Sequence, residues 1–182
     1  MWTTGTRALE TGTRVVLRAA EAGDRDEFIE VMRLSRDLHH PWASAATEPQ
    51  QYDILLDRAR GDEFEMLLPC RIDDGAITGF FNLSHIVRGA LQSAFVGYGA
   101  AAPYARQGYM KEGLQLVLRH AFGTLHLHRI EANIQPANRA SKALVRSCGF
   151  RREGFSPRYL KIDGQWRDHE RWAALADEHD YR

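Results

Sequence analysis

Cysteine is scarce: the 182-residue chain has two, Cys70 and Cys148. They stand far apart in no metal-ligand or redox spacing, which excludes a disulfide-stapled scaffold and points to buried thiols in a reducing cytosol. Long apolar runs are missing as well, and none approaches the ~20 residues of a membrane-spanning helix. Neither sign of charge is in excess, with 24 Lys and Arg against 24 Asp and Glu. Global charge therefore gives no reason to expect a nucleic-acid or membrane partner. The first residues, Met1-Trp2-Thr3-Thr4-Gly5-Thr6-Arg7, lack the apolar core of a secretion signal, so the expected location is cytoplasmic. No repeat, low-complexity tract or Pro/Gly/Ser-rich linker divides the chain. What is present, 44% apolar and 26% charged residues, is the composition of one globular domain that needs no staple to bury a core.

The polar, glycine-containing start reads as a loose tail over 1–13, before a single domain over 14–176 and a short tail over 177–182. Arg14 to Arg18 is a first strand. Asp24 is placed to cap a helix, with Glu27 as its reciprocal partner, and Phe28, Val31, Met32, Ser35 and Leu38 follow at helical spacing. A second helix is expected between Pro49 and Gly61, carrying Tyr52, Leu55, Leu56 and Ala59. The period then changes: Glu63–Ile72, Ile77–Val87 and Leu91–Gly99 read as an antiparallel meander turning at Asp73-Asp74-Gly75 and Arg88-Gly89. A helix begins near Gln107 with Met110, Leu114, Val117, Leu118 and Ala121 on one face. The strand Arg129–Ile134 follows, then a helix capped by Asn138 and closed by Gly149. Strands Arg151–Ile162 and Trp166–Ala174 form a last hairpin turning at Asp163-Gly164. Trp42, Trp166 and Trp172 are read as packing anchors.

The stretch Val96 to Gly113 carries chemistry. A strand ending Gly97-Tyr98-Gly99 turns through a loop into a helix opened by Gly108. A helix start offers unsatisfied N–H groups and a positive dipole end, which suits a pyrophosphate, and Arg106 adds a charged donor. The same segment also reads as an ordinary strand-helix junction with an incidental arginine. It is neither a Walker loop nor a dinucleotide fingerprint.

Leu127 to Phe150 changes that balance. Arg129-Ile130-Glu131-Ala132, then Asn138-Arg139-Ala140-Ser141, then Cys148-Gly149-Phe150 with Glu153-Gly154 resembles the last motif of the GCN5-related N-acetyltransferases (GNAT). More narrowly it resembles the Rim-type branch, which includes the ribosomal-protein N-terminal alanine acetyltransferases. The closing Tyr159-Leu160-Lys161-Ile162-Asp163-Gly164-Gln165-Trp166-Arg167-Asp168-His169 is similar to that branch's terminal hairpin, and the likeness runs from Val15 to Trp172. The resemblance implies an α/β (α+β) fold: a mixed, mostly antiparallel sheet of about seven strands splayed into a V, flanked by about four helices. It implies acetyl-CoA as donor, and as acceptor a primary amine such as a ribosomal-protein N-terminus. A small-molecule amine, or acyl-CoA binding without turnover, stays open.

By the same resemblance, Gly97, Tyr98, Gly99, Arg106, Gln107, Gly108, Tyr109, Met110, Asn138 and Ser141 hold the cofactor. Of the family's Gln/Arg-x-x-Gly-x-Gly/Ala loop only Gly108 matches, since Ala105 and Met110 depart from it. Main-chain amides from Arg106 to Met110 need no particular side chain to hold phosphates. A bulge at the two glycines would aim an N–H at the thioester carbonyl. Asn138 and Ser141 form a capping pair on structural grounds; the resemblance implies that Ser141 also serves the departing sulfur. For the general base, two positions that often bear a carboxylate hold Phe95 and Asn133. Glu131 and then His85 are the candidates, Glu131 also reading as an ion-pair partner of Arg129 and His85 as a satisfied polar side chain. Asp168 and His169 read as structural, or as acceptor-binding. The basic set Arg146, Arg151, Arg152, Arg158 and Lys161 is a solvated face, or meets the 3′-phosphate of coenzyme A or ribosomal RNA. No metal is expected, because His39-His40 and His126/His128 lack convergent ligands. Monomer and homodimer are both open.

Overall fold

The computed structural model describes residues 7–178, so the tail expectations at 1–6 and 179–182 lie outside the described residues. Eight strands form one sheet: β1 (Ala8–Thr11), β2 (Val15–Ala19), β3 (Phe64–Arg71), β4 (Gly79–Val87), β5 (Ser93–Ala100), β6 (Arg129–Ile134), β7 (Arg151–Ile162) and β8 (Gln165–Leu175). Their spatial order is β1-β2-β3-β4-β5-β6-β8-β7, and β5–β6 is the one parallel pair. The strand β1 corrects the expected tail. It pairs with β2, Leu9 packs on the core, and Glu10 meets Arg119 at 3.6 Å. Four residues with so little apolar content are too short for alternation to reveal.

Helices α1 (Arg25–Leu34), α2 (Arg36–His39) and α3 (Pro49–Arg58) lie between β2 and β3; α4 (Tyr109–Arg119) follows β5 and α5 (Arg139–Ser147) follows β6. The sheet buries both faces. Phe81, Leu114, Val117, Ile130 and Trp172 share the cluster beneath α4 and α5. Phe28, Met32, Tyr52, Met66 and Phe80 share the one beneath α1 and α3.

The start of α1 differs from the expected capping box. Asp24 gives α1 no side-chain cap; its carboxylate grips Arg18 through two bonds of 2.7 and 2.6 Å and accepts the Glu21 N–H. Glu27 instead accepts the N–H of Ile77, on the sheet side. Arg18 is 7% exposed, and a buried guanidinium demands a counter-charge more strongly than a helix end demands a cap worth ~1 kcal/mol. Expected continuity through Leu38 is also broken. Ser35 bonds back to the Val31 carbonyl and accepts the Ala102 N–H, so α2 starts anew.

Trp172 is buried, but Trp166 is 61% exposed and is not the expected anchor, because the outer part of the β7–β8 hairpin projects past the packed layers. Among the described residues no helix is long and apolar enough to cross a membrane.

Candidate active site

The parallel pair sets up the site by ending early. Only Ser93, Ala94 and Phe95 pair with Arg129, Ile130 and Glu131; past them β5 and β6 diverge. The expected bulge at Gly97-Tyr98-Gly99 is absent, since β5 pairs regularly with β4 from Phe95 to Ala100 and the extra residue lies on β4 between Ser84 and Val87. The opening therefore comes from two strands parting, and no kink in β5 is needed.

Backbone parity then decides which groups face the gap. Ala101 donates its N–H to Thr78 on the β4 side. Alternate residues Gly99 and Gly97 bond to β4 likewise, leaving Val96 and Tyr98 with N–H and C=O turned toward β6. Gly99 serves close packing: a Cβ there would stand 2.5 Å from Phe80 and 2.9 Å from His39 Nε2. A cavity of about 600 Å³ fills the split, a size that suits a small-molecule cofactor arm.

At one end of the cavity stand Arg106, Gly108, Met110 and Lys111. Gly108 precedes α4 with φ of 90° and gives it no side-chain cap, so the first amides of α4 are free of helical partners. Arg106 is also left-handed, with φ of 61°. The glycine is required by that backbone; Arg14 Nη2, 2.9 Å from where a Cβ would sit, is the movable end of a side chain. Arg14 was not singled out from the sequence. It donates to the Gln107 carbonyl, and the Glu112 carboxylate accepts the Arg14 and Val15 N–H groups, so β2 pins the loop.

The sheet has a different chemistry on each side of the split. On the α5 side, Tyr98 Oη and Ser141 Oγ are 2.5 Å apart, and the Asn138 side-chain Oδ1 accepts the Ser141 N–H at 3.0 Å, as the cap expectation required. Burial holds the Tyr98 hydroxyl well above its ordinary pKa, so it keeps its proton. Side chains alternate along a strand, so with Ala132 and Ile134 in the α5-side core, Asn133 faces the other way. Its Oδ1 is buried without a hydrogen-bond partner among the described residues. On that side stand His39, Trp42 and His169, all lining the cavity. His39 donates Nε2–H to the Ala100 carbonyl at 2.8 Å. In the sequence His39 is only half of a His39-His40 pair without convergent ligands and Trp42 only a packing anchor; nothing in their spacing marks them for this cavity.

Eight of the ten expected cofactor residues line the cavity: Gly97, Tyr98, Gly99, Arg106, Gly108, Met110, Asn138 and Ser141. Gln107 and Tyr109 do not. Gln107 donates to the Pro103 carbonyl, and Tyr109 is packed under Arg14 and against Tyr104. Neither base candidate is brought in. Glu131 is ion-paired with Arg129 at 2.7 Å, while His85 is exposed and stacks edge-on against Phe95. Burial demands a partner for the Arg129 charge, and Glu131 and Glu153 supply it. Asp168 accepts the Arg158 N–H within the hairpin. The basic set also resolves largely into structure: Arg151 and Arg152 pair with Glu153 and Glu170, and Arg146 lies over Trp172. Among the described residues no three His, Cys, Asp or Glu side chains converge as metal ligands.

The chain matches a family model described as Acetyltransferase (GNAT) domain over residues 14–151. It is 31% identical over 173 residues to the probable N-acetyltransferase YjcK of Bacillus subtilis (strain 168), covering 90% of this chain and 95% of that one. A 97-residue stretch is 41% identical to the [ribosomal protein uS5]-alanine N-acetyltransferase of Escherichia coli (strain K12), spanning 53% of this chain and 50% of that one. Among solved structures, Mycobacterium smegmatis RimJ in complex with CoA-disulfide superposes with a TM-score of 0.83 at 29% identity, over 91% of this chain and 84% of that one.

Proposed function

The chain belongs to the GNAT acetyltransferase family, and from that premise we propose that it carries acetyl from acetyl-CoA to the α-amino group of a peptide or protein, of the ribosomal-protein alanine type. The residues present fit the donor. Free first-turn amides of α4, with Arg106 and Lys111, suit a pyrophosphate. The backbone edge of Val96 and Tyr98 suits an extended pantetheine arm laid in as an added strand. Acetyl-CoA supplies the activated acyl group; the chain orients it, and the Tyr98 N–H is aimed to stabilise an oxyanion. The Tyr98–Ser141 hydroxyl pair, 2.5 Å apart on the cavity wall, suits protonation of the departing sulfur. Cys148 takes no part: it is buried and its thiol is pushed up in pKa by burial.

The observation that favours an N-terminal amine over a polyamine or an amino-sugar antibiotic is the absence of carboxylates. Among the described residues lining the cavity there is no Asp or Glu. A polycation needs counter-charges along its length, whereas an α-amino group, with a pKa of about 7.7–8.0, reaches the site partly neutral and needs none. The test is competitive. With acetyl-CoA, Ala-initiated peptides are expected to release free thiol with higher kcat/KM than spermidine or an aminoglycoside. Faster release with either polycation overturns the acceptor assignment, and tight CoA binding with no release on any amine overturns turnover itself.

A further inference from the structure

With Glu131 and His85 outside the cavity, the proton lost by the amine needs another destination. We propose that the imidazole of His169 accepts that proton through its Nε2 atom.

The case begins with strand parity. Glu170 lies on the α5 side, since it meets Lys142 of α5 at 3.4 Å, so its neighbour His169 faces the opposite side of the sheet. That is the side occupied by His39, beside Gly99, and by Asn133. Ile134 pairs with Glu170, which sets His169 one step past the last paired residue of β6, beside Gln135. Gln135 in turn donates to the Pro41 and Trp42 carbonyls. His169 thus closes the acceptor side of the split, across the sheet from the Tyr98–Ser141 pair. The β7–β8 register slips between Ser156 and Leu160, directly at the Ser156–His169 pair. That irregularity brings the Tyr159 ring edge-on to the imidazole at 6.1 Å; bulges commonly re-aim a side chain beside a site.

The ring is fixed as well as placed. Nδ1 lies 2.9 Å from the Arg167 carbonyl, and a carbonyl only accepts, so Nδ1 carries the hydrogen and Nε2 the lone pair. No described residue hydrogen-bonds Nε2, and the ring lines the cavity. His169 is 2% exposed. Burial lowers its pKa, opposed by the Arg167 bond and by Asp168, so the ring is neutral near pH 7. The groups around it are Tyr159 and Ser156 on β7, Asp168 on its own strand, and His39, Trp42 and Gln135 on the cavity wall. Asp168 is the one carboxylate among them, and it accepts the Arg158 N–H. His39 has the opposite tautomer, with its Nε2–H committed to Ala100.

The step balances as follows. The neutral amine nitrogen bonds to the thioester carbon, and its surplus proton passes to Nε2. Collapse breaks the C–S bond, and the sulfur takes a proton from the Tyr98–Ser141 pair. The imidazolium then releases its proton to solvent, which also resupplies the pair. The products are the N-acetylated amine and coenzyme A thiol.

This inference rests on acetyl transfer but not on which amine is acetylated. The test therefore uses whichever amine the wild type turns over fastest. His169→Asn keeps a donor for Arg167 but has no basic nitrogen; it is expected to bind CoA within threefold of wild type while kcat falls about 10²-fold or more, the usual worth of a placed base. His169→Ala is expected to lose as much and to regain at least tenfold with added imidazole. In the free protein, ¹⁵N NMR at pH 7 is expected to show His169 as the Nδ1–H tautomer. An Nε2–H tautomer, a kcat within threefold of wild type in both variants, or rescue by imidazole of His39→Ala but not His169→Ala overturns the proposal. Absent turnover by the wild type overturns the acetyl-transfer reading itself, and the NMR tautomer then decides the placement of the lone pair separately.

Discussion

Gly108 and Asp24 act through different physics. At Gly108 the backbone has φ of 90°, with Arg14 Nη2 2.9 Å from where a Cβ would sit. Forcing an L-residue into that region costs ~1–2 kcal/mol. Gly108→Val is expected to weaken CoA binding about tenfold, since each 1.4 kcal/mol is a factor of ten, as read by isothermal titration; unchanged affinity contradicts the phosphate-end assignment. Asp24 is a stability residue, its carboxylate engaged with Arg18 and the Glu21 N–H. Removing it leaves Arg18, only 7% exposed, without its bidentate partner, and breaking such a pair costs ~3–5 kcal/mol. Urea unfolding of Asp24→Ala is expected to show that loss with no change in CoA affinity for the fraction still folded.

At the scale of elements, α5 joins fold to site. Its Asn138 cap holds the Ser141 N–H at 3.0 Å, and Ser141 in turn holds Tyr98. Asn138→Ala is expected to cost ~0.5–2 kcal/mol of stability and to lower kcat by more than it raises the KM for acetyl-CoA, checked by steady-state kinetics beside a melting curve. Much of this was legible beforehand. Ranges for β6 and β7 follow directly from alternation and from the Asp163-Gly164 turn, and the Asn138 cap from its residue type. What escaped depended on partners distant in sequence. Asp24 was drawn to Arg18, Glu131 to Arg129, and β1 gained its meaning from pairing with β2. His39 and Trp42 come from α2 and its following loop, so no local pattern displays their convergence with His169 of β8, which the sequence offers as structural or acceptor-binding. Arg14, expected to open the first strand, stands just before β2, and its contact with a loop some ninety residues later is a product of topology.

Across the whole molecule, two of the three buried histidines among the described residues tie stability to pH. Both His39 and His169 have pKa values lowered from 6.5, chiefly by burial. Well above 6.5 they are neutral in folded and unfolded chains alike, and their burial carries no proton penalty. As pH falls below 6.5 the unfolded chain takes up protons first, so stability declines until each folded pKa is reached. Thermal melts are expected to show a midpoint that drops on the acid side of pH 6.5, with a shallower drop in His169→Asn; an unchanged slope in that variant removes His169 from the linkage. The three-residue seam between β5 and β6 has a mechanical consequence of its own. Five strands on one flank and three on the other are zipped by little main-chain bonding. On the proposed placement, a thioester arm threaded along the unzipped length would work as a ninth strand, so donor loading is expected to slow amide exchange on both lips of the cleft and brace the two flanks against each other before the acceptor arrives.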